Sequence, residues 1–396
     1  MARTDALILA LLVATRLMFG AQAQSVGALG PLLVGPLVAD FVALGSLVGA
    51  YLLPGTFIAL PGAALSAWLG DRLALRLGLG LMALGGVLLA LPPGPDWGLG
   101  WGMAARMLAG AGGVVTNLVV MKLVLDRFAG PRLPLALGFA LTGWPAGLAL
   151  SLLGLPPLAE ALGWRLALAG VAGLLALFWL AVPLMGATGP APRAANAGSA
   201  RPPNWPALLA ASLGWAGFNT SFIVILSFAP ALLVAHGASL AEAGGLTSLT
   251  SWLSLPMLPL AGWLAGRSGR PVLLAALGLA GMAVLAPLLA WLPPGPAAAA
   301  LLAALGVVGG LAGTPIFSLA PLVLPPGARA LGMGAFYVVF YASMALAPPL
   351  AGWARDASGN PAAPIFVAAG CAALALLAVL AFPWLAARGR QGIENG

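Results

Sequence analysis

The amino-acid sequence predicts an all-α membrane protein with twelve membrane-spanning helices, arranged as two pseudo-symmetric bundles of six. Of its 396 residues, 62% are hydrophobic and only 7% are charged, whereas about a quarter of the residues in a soluble domain are charged. The chain also repeats itself, because Leu264 and Arg267 lie 195 residues after Leu69 and Arg72. A repeat at half the chain length is typical of membrane proteins built from two copies of one helical unit.

The first half of the chain contains six apolar runs, each long enough to cross about 30 Å of hydrocarbon. They extend from Ala6 to Leu29, Phe41 to Leu65, Leu73 to Leu91, Trp97 to Leu125, Leu133 to Leu155 and Trp164 to Leu184. The first run follows Arg3 and resembles a secretory signal peptide. Because Asp5 and Arg16 fit such a signal poorly, we expect the run to remain in the protein as its first helix.

Residues 187–204 are rich in Gly, Pro, Ala and Asn and lack apolar periodicity. This composition predicts a cytoplasmic linker between two bundles at residues 1–186 and 205–396. Six more apolar runs follow, from Trp205 to Val234, Ala243 to Leu264, Val272 to Leu292, Ala297 to Leu324, Leu331 to Ala354 and Ala363 to Ala386. Asn204 followed by Pro206 predicts the N-cap and the first turn of the seventh helix.

The basic residues predict the orientation in the membrane. Those in the termini and loops on one side are Arg3, Arg72, Arg76, Arg127, Arg132, Arg193, Arg201, Arg267, Arg270, Arg329, Arg388 and Arg390. The loops on the other side hold only Arg165 and Arg355. Since Lys and Arg concentrate in cytoplasmic loops, we expect both termini to face the cytoplasm from a bacterial inner membrane.

Several classes of function do not fit the composition. The net charge of +8 comes from basic residues that stand singly between apolar runs, which argues against a nucleic-acid partner. One histidine, His236, one cysteine, Cys371, and scattered acids supply no catalytic or metal-binding cluster. We therefore expect no enzyme activity, no metal and no cofactor, and the lack of a phosphate-binding Gly-Lys-Ser/Thr loop argues against ATP-driven pumping.

Several short motifs occur in a recognisable order along the chain. They are Asp71-Arg72 with Arg76 after the second run, Arg106 with Gly110 and Gly112 in the fourth, Gly138, Gly143, Pro145 and Gly147 in the fifth, and Gly352 to Asp356 closing the eleventh. Together they resemble the Major Facilitator Superfamily over nearly the whole chain. The resemblance implies that family's twelve-helix fold and a secondary transporter working by alternating access. Arg16 with Gly30-Pro31 further resembles the cyanate and nitrate-type anion transporters.

The family resemblance also implies a latch between the two halves at the cytoplasmic side. Its candidate residues are Asp71, Arg72, Arg76, Asp126, Arg267 and Arg270. Asp71 is placed to accept hydrogen bonds from a helix N-terminus, and Arg72 or Arg76 to pair with Asp126. Lys122, one helical turn before Asp126, predicts an ion pair between those two residues. The alternative is that the basic residues only anchor the loops inside.

Arg16 is the sharpest candidate for a substrate ligand. It lies near the middle of the first run, where a charge is costly unless it faces a cavity or a partner. No Asp or Glu lies in the middle of any run, so an anionic substrate would supply the missing counter-ion through two parallel hydrogen bonds. The alternative is a structural arginine bonded to helix carbonyls.

Other polar side chains within the runs are weaker candidates for the binding site: Arg106, Asn117, Asn219, Thr247, Ser251, Tyr337 and Tyr341. Arg106 could line the cavity or hold helices one and four together, and the sequence does not decide between these roles. Thr247 and Ser251 share a helix face with Thr250 and Ser254. Such a face lines a wet cavity or packs against another helix.

The leading hypothesis is secondary active transport of a small organic or inorganic anion by a monomer in the lipid bilayer, with the proton as a candidate coupling ion. The rival hypothesis is efflux of amphipathic drugs or metabolites, which the partial exporter motif around Pro145 favours. Substitution of Arg16 by Gln discriminates between them, because only the anion carrier should depend on that charge.

Overall fold

The structure, a computed structural model, describes residues 3–59, 69–92, 98–128, 133–185, 203–325 and 328–394. Twelve long helices are found in these ranges. They are α1 (Arg3–Ala28), α2 (Phe41–Ala50 continued by Leu53–Ile58), α3 (Asp71–Ala90), α4 (Gly98–Arg127), α5 (Leu133–Leu162), α6 (Trp164–Ala181), α7 (Trp205–Ala235), α8 (Leu240–Ser268), α9 (Pro271–Leu288), α10 (Pro296–Phe317), α11 (Arg329–Ser358) and α12 (Ala363–Glu394). Nearly all of the predicted linker lies outside the described residues, as do residues 60–68, which precede the repeated Leu69 and Arg72.

Eleven of these helices are long and apolar enough to cross a membrane. The exception is α8, whose serines, threonines, glycines and prolines lower its mean hydropathy. Many apolar side chains point away from the bundle: Leu177, Leu180 and Leu374 are each more than 60% exposed. A continuous apolar surface of this kind is solvated by lipid rather than by water.

The helix boundaries follow from local sequence. As predicted, Asn204 caps α7 by accepting a hydrogen bond from the amide of Ala207 at 3.2 Å. The second apolar run was predicted as one helix, but α2 is broken at Tyr51 and Leu52. Pro54 explains the break, because it lacks an amide hydrogen and its ring clashes with the carbonyl four residues earlier. A similar break ends α10 at Phe317, and a short helix, Leu319–Leu322, follows it.

Close helix packing depends on glycine at the tightest crossings. In α5, a Cβ atom at Gly147 would overlap the carbonyl of Leu17 in α1. In α4, a Cβ atom at Gly110 would overlap the carbonyl of Tyr51. Small residues let membrane helices approach closely without a hydrophobic driving force between them, and this explains much of the chain's high glycine content.

The two sets of six helices meet along α2 with α11 and along α5 with α8. We call the end of the bundle that holds the start of α1 and the end of α12 the terminal end. The opposite end, where α1 finishes and α2 begins, is the distal end. The side chains described below lie between these ends.

Candidate functional site

Arg16 lies at the middle of α1 and has no counter-ion in the described structure. Its stem crosses the backbone of α5 at Gly143, where a Cβ atom would lie 3.1 Å from the Arg16 Cβ. Its Nε and Nη1 atoms are buried and have no hydrogen-bond partner. A buried charged donor without a partner costs more than about 1–3 kcal/mol. Nε and Nη1 therefore have no acceptor among the described residues.

Two of the predicted polar residues lie close to this guanidinium, and a third lies beside one of them. The phenol groups of Tyr337 and Tyr341 on α11 are within electrostatic range of Arg16, and Tyr341 also lies beside Asn117 of α4. The Oδ1 atom of Asn117 is buried without a donor. Arg16, Asn117 and Tyr337 are each only half-buried, although they lie deep within the bundle. They therefore line a space between the first and the second six helices.

A cluster of aromatic side chains, which we call the aromatic wall, extends from these tyrosines to α7. The ring of Trp215 on α7 lies 5.2 Å from that of Phe317 and 6.2 Å from that of Phe340, measured between centroids. Phe340 in turn lies 6.2 Å from Tyr337 and 4.8 Å from Tyr341. The cluster therefore reaches from α7 across α11 to the tyrosines that face Arg16. Trp215 is not predictable as a site residue from the sequence, because no pattern distinguishes it among thirteen tryptophans.

Asn219, another predicted ligand, lies on α7 one turn after Trp215. Its Nδ2 atom donates to the Trp215 carbonyl at 2.8 Å. The side chain is half-buried, so its carbonyl oxygen remains the group that a ligand could use. Asn219 thus belongs to the aromatic wall rather than to the group around Arg16.

Arg106 has a different environment from Arg16. Its Nε donates to the carbonyl of Leu47 at 2.9 Å, and its two terminal nitrogens donate to the carbonyls of Gln22 and Ala23 at 2.8 and 2.9 Å. The guanidinium also lies over the Tyr51 ring, 4.4 Å from its centroid. Each of its nitrogens is thus bonded to α1 or α2, and the residue is 1% exposed. This geometry favours the helix-joining role over the ligand role.

The four hydroxyl groups on the predicted face of α8 all donate to backbone carbonyls, two of them on other helices. Thr250 donates to the carbonyl of Leu302 on α10 at 2.9 Å, and Ser251 donates to the carbonyl of Pro145 on α5 at 2.9 Å. Thr247 bonds within its own helix, to the Ala243 carbonyl at 2.8 Å. Of the two interpretations that the sequence left open for this face, helix packing fits the structure better.

Charged side chains meet at the terminal end of the first six helices. The predicted pair of Lys122 and Asp126 is confirmed, with a distance of 3.0 Å. Lys122 also contacts Asp71 at 2.6 Å, which the sequence analysis did not anticipate. Asp126 therefore has a lysine as its ion-pair partner where the family resemblance implied Arg72 or Arg76. The guanidinium of Arg76 lies over the ring of Trp179.

Among the described residues, no contact joins the charged cluster around Lys122 to Arg267 or Arg270, the corresponding arginines of the second half. Arg267 lies over the ring of Trp263, with its guanidinium carbon 5.7 Å from the centroid. Arg270 precedes the first residue of α9 and donates its backbone amide to the Ser268 hydroxyl at 3.3 Å. Their role in a latch between the halves remains a prediction.

Two comparisons place this architecture among known proteins. The family model described as the Major Facilitator Superfamily matches residues 11–319, with a second match at residues 207–393. The chain belongs to the Major Facilitator Superfamily. It is thus an integral membrane transporter and not an enzyme. A search of curated proteins finds no match. Neither the family model nor the similar solved structure supports the narrower resemblance to cyanate and nitrate-type transporters.

The fold of this superfamily member is similar to that of a solved bacterial protein, described as a homologue of the human lysosomal transporter Spinster in an inward-facing and unoccupied conformation. The similarity covers 98% of this chain and 96% of the other, with a TM-score of 0.71 and 18% sequence identity. At this identity the likeness establishes the fold alone.

The two halves of this chain are joined at the distal end by two equivalent contacts, as expected for a twofold repeat. Asp356 at the end of α11 accepts a hydrogen bond from the amide of Val42 in the first turn of α2, at 2.8 Å. Glu160 at the end of α5 accepts one from the amide of Ala241 in the first turn of α8, at 3.1 Å. We call these two interactions the distal carboxylate contacts.

The local caps at these helix starts are equivalent as well. Asp40 accepts from the amide of Ala43, and Ser239 accepts from the amide of Glu242. Each helix start thus receives one acceptor from its own half, at the third amide, and one from the opposite half, at the second. The sequence analysis missed these contacts, although the spacing of the acids, 160 and 356, is close to the 195-residue repeat.

Proposed function

We propose that this protein is a secondary active transporter of a small anion, which binds to Arg16 between the two halves. The observation that carries the proposal is the pair of buried guanidinium nitrogens without a partner. A carboxylate or an oxyanion offers two acceptors in the geometry that a guanidinium matches. Arg106 supplies the internal contrast, because the same chemical group is fully engaged by backbone carbonyls where it serves packing.

Alternating access would follow from the way the halves meet. The distal carboxylate contacts and a hydrogen bond from Gln24 to the carbonyl of Leu226, at 2.8 Å, hold the halves together on the distal side of Arg16. With the site closed on that side, an anion would reach Arg16 from the terminal end. Rocking of the halves would then break the distal contacts and expose the site on the opposite side.

The finer features of the proposal rest on the sequence. The distribution of basic residues supports a cytoplasmic location for both termini, which makes the terminal end the cytoplasmic end, and it fits a bacterial inner membrane. The monomer is the proposed working unit, since each chain holds both halves of the site. The proton is the proposed coupling ion, carried by the substrate's own ionisable group.

Efflux of amphipathic drugs is the second candidate, and the aromatic wall around Trp215 favours it. Aromatic side chains bind apolar ligands over large areas without requiring a charge on the ligand. The two candidates differ in what they require of Arg16. An exporter of neutral or cationic drugs would gain nothing from an unpaired cation in its site.

We expect small anions to raise the thermal midpoint of the purified wild-type protein and to leave that of the Arg16→Gln variant unchanged. A ligand at one hundred times its dissociation constant stabilises the folded state by about 2.7 kcal/mol, which is readily measured. Sodium salts of inorganic anions and short carboxylates would be tested at constant ionic strength, beside a panel of amphipathic drugs.

The matched control is Arg165→Gln, which removes an exposed arginine from the start of α6. This control should respond to anions as the wild type does. If anions stabilise Arg16→Gln as much as the wild type, Arg16 is not the anion ligand. If drugs stabilise all three proteins and anions stabilise none, efflux replaces the proposed function.

A further inference from the structure

We propose that the site selects organic anions that carry a flat apolar body, with Arg16 binding the anionic group and Trp215 and Phe340 contacting the body. This inference rests on the proposed function and adds the class of anion. It excludes small inorganic anions as preferred substrates.

The first observation is that the cation and the aromatic wall face the same space. Tyr337 is within electrostatic range of Arg16 and also contacts Phe340, with 6.2 Å between ring centroids. Phe340 continues to Trp215 at 6.2 Å. The rings of α7 and α11 thus form a continuous series that ends at a tyrosine close to Arg16.

The second observation is that the rings of the wall are only partly buried. Trp215, Tyr337 and Phe340 are half-buried, whereas Phe336 behind them is completely buried. Part of the surface of these three side chains is therefore accessible to a ligand. Aromatic faces of this kind bind flat apolar groups by offset stacking or by edge-to-face contacts.

The third observation is an unused donor in the wall. The Nε1 atom of Trp215 is buried and has no hydrogen-bond partner. Buried indole N–H groups normally find an acceptor. Nε1 of Trp215 and the Nε and Nη1 atoms of Arg16 are thus unpaired donors, and no carboxylate lies among the residues described around them. This donor set suits a ligand that is rich in acceptors and negatively charged.

The proposal predicts that ring size governs affinity among ligands of equal charge. Thermal stabilisation of the purified protein would be titrated with acetate, benzoate, 2-naphthoate and the neutral benzamide. In the wild type, we expect half-maximal stabilisation by benzoate at a concentration at least about tenfold below that of acetate. 2-Naphthoate should act at a lower concentration than benzoate, and benzamide should have little effect.

Variants of the wall separate its contribution from that of the cation. Trp215→Leu should reduce the advantage of benzoate over acetate, measured within that variant, to less than about threefold. Trp215→Phe should keep most of the advantage, because it keeps a ring. The control Trp291→Leu alters a tryptophan that is 69% exposed, and it should behave as the wild type.

The outcomes distinguish this inference from the proposed function. If acetate and benzoate act equally in the wild type and Arg16→Gln abolishes both effects, the aromatic selection is wrong while the anion site stands. If no anion stabilises the wild type, both proposals fail. If benzamide matches benzoate and Arg16→Gln retains both effects, the site selects for the ring alone, and both proposals fail in favour of efflux.

Discussion

Replacement of Arg106 by Ala is expected to lower the free energy of unfolding by about 3–5 kcal/mol, whereas Arg16→Ala should leave it unchanged or raise it. Arg106 is 1% exposed and donates to three backbone carbonyls of α1 and α2. Its loss removes charge-assisted bonds and opens a cavity in the first half. Arg16 contributes a buried charge whose Nε and Nη1 have no partner, so its removal relieves a desolvation cost.

The measurement is thermal unfolding of both variants in the same detergent and without added anion, compared with the wild type. The two variants control for each other, because the same substitution is made at two arginines that both lie within spanning helices. A large loss of stability in Arg16→Ala would show that Arg16 has structural partners, and it would remove the main support for the anion site. An unchanged stability in Arg106→Ala would show that its carbonyl contacts contribute little.

The second large effect is expected from removing both distal carboxylate contacts. Glu160→Ala combined with Asp356→Ala should shift the protein towards a conformation that is open at the distal end. Each contact joins a carboxylate to a helix N-terminus at an exposed position and is worth about 0.3–1 kcal/mol. Their combined loss, about 0.6–2 kcal/mol, changes a conformational ratio by about 3–30-fold.

Distances between spin labels at the distal end would report this shift. Cysteines at Ala161 and Ala357 place one label on each half at exposed positions, with the single native cysteine, Cys371, replaced by alanine. The control is Glu242→Ala, which removes an acid in the first turn of α8 beside Ala241 but leaves the distal contacts intact. Equal distance distributions in the double variant and the control would show that the two contacts do not hold the distal end closed.

Much of the fold was predictable because it depends on local sequence and on the bilayer. A run of apolar residues long enough to span hydrocarbon has to be helical there, since its backbone groups have no other hydrogen-bond partner. The cap at Asn204 was predictable for the same local reason. The order of short motifs identified the superfamily. Arg16 was predictable as a candidate ligand because a charge in the middle of a spanning helix is costly unless it faces a cavity or a partner.

The sequence could not assign roles to side chains that look equivalent along the chain. Arg16 and Arg106 are both arginines within apolar runs, and only the packing of α1 and α2 around Arg106 distinguishes them. The hydroxyls of α8 share a face in the sequence, but which helix covers that face is decided by the contact with α5 and α10.

The sequence by itself determined the membrane environment, the twelve spanning segments, the twofold repeat and the isolated arginine at the middle of α1. Only the tertiary structure decided which arginine lacks a partner, which rings face it, and which acids join the two halves at the distal end. The physical reason is that helix formation and membrane insertion depend on residues close together in the chain. A hydrogen bond such as that between Asp356 and Val42 joins residues that are 314 positions apart.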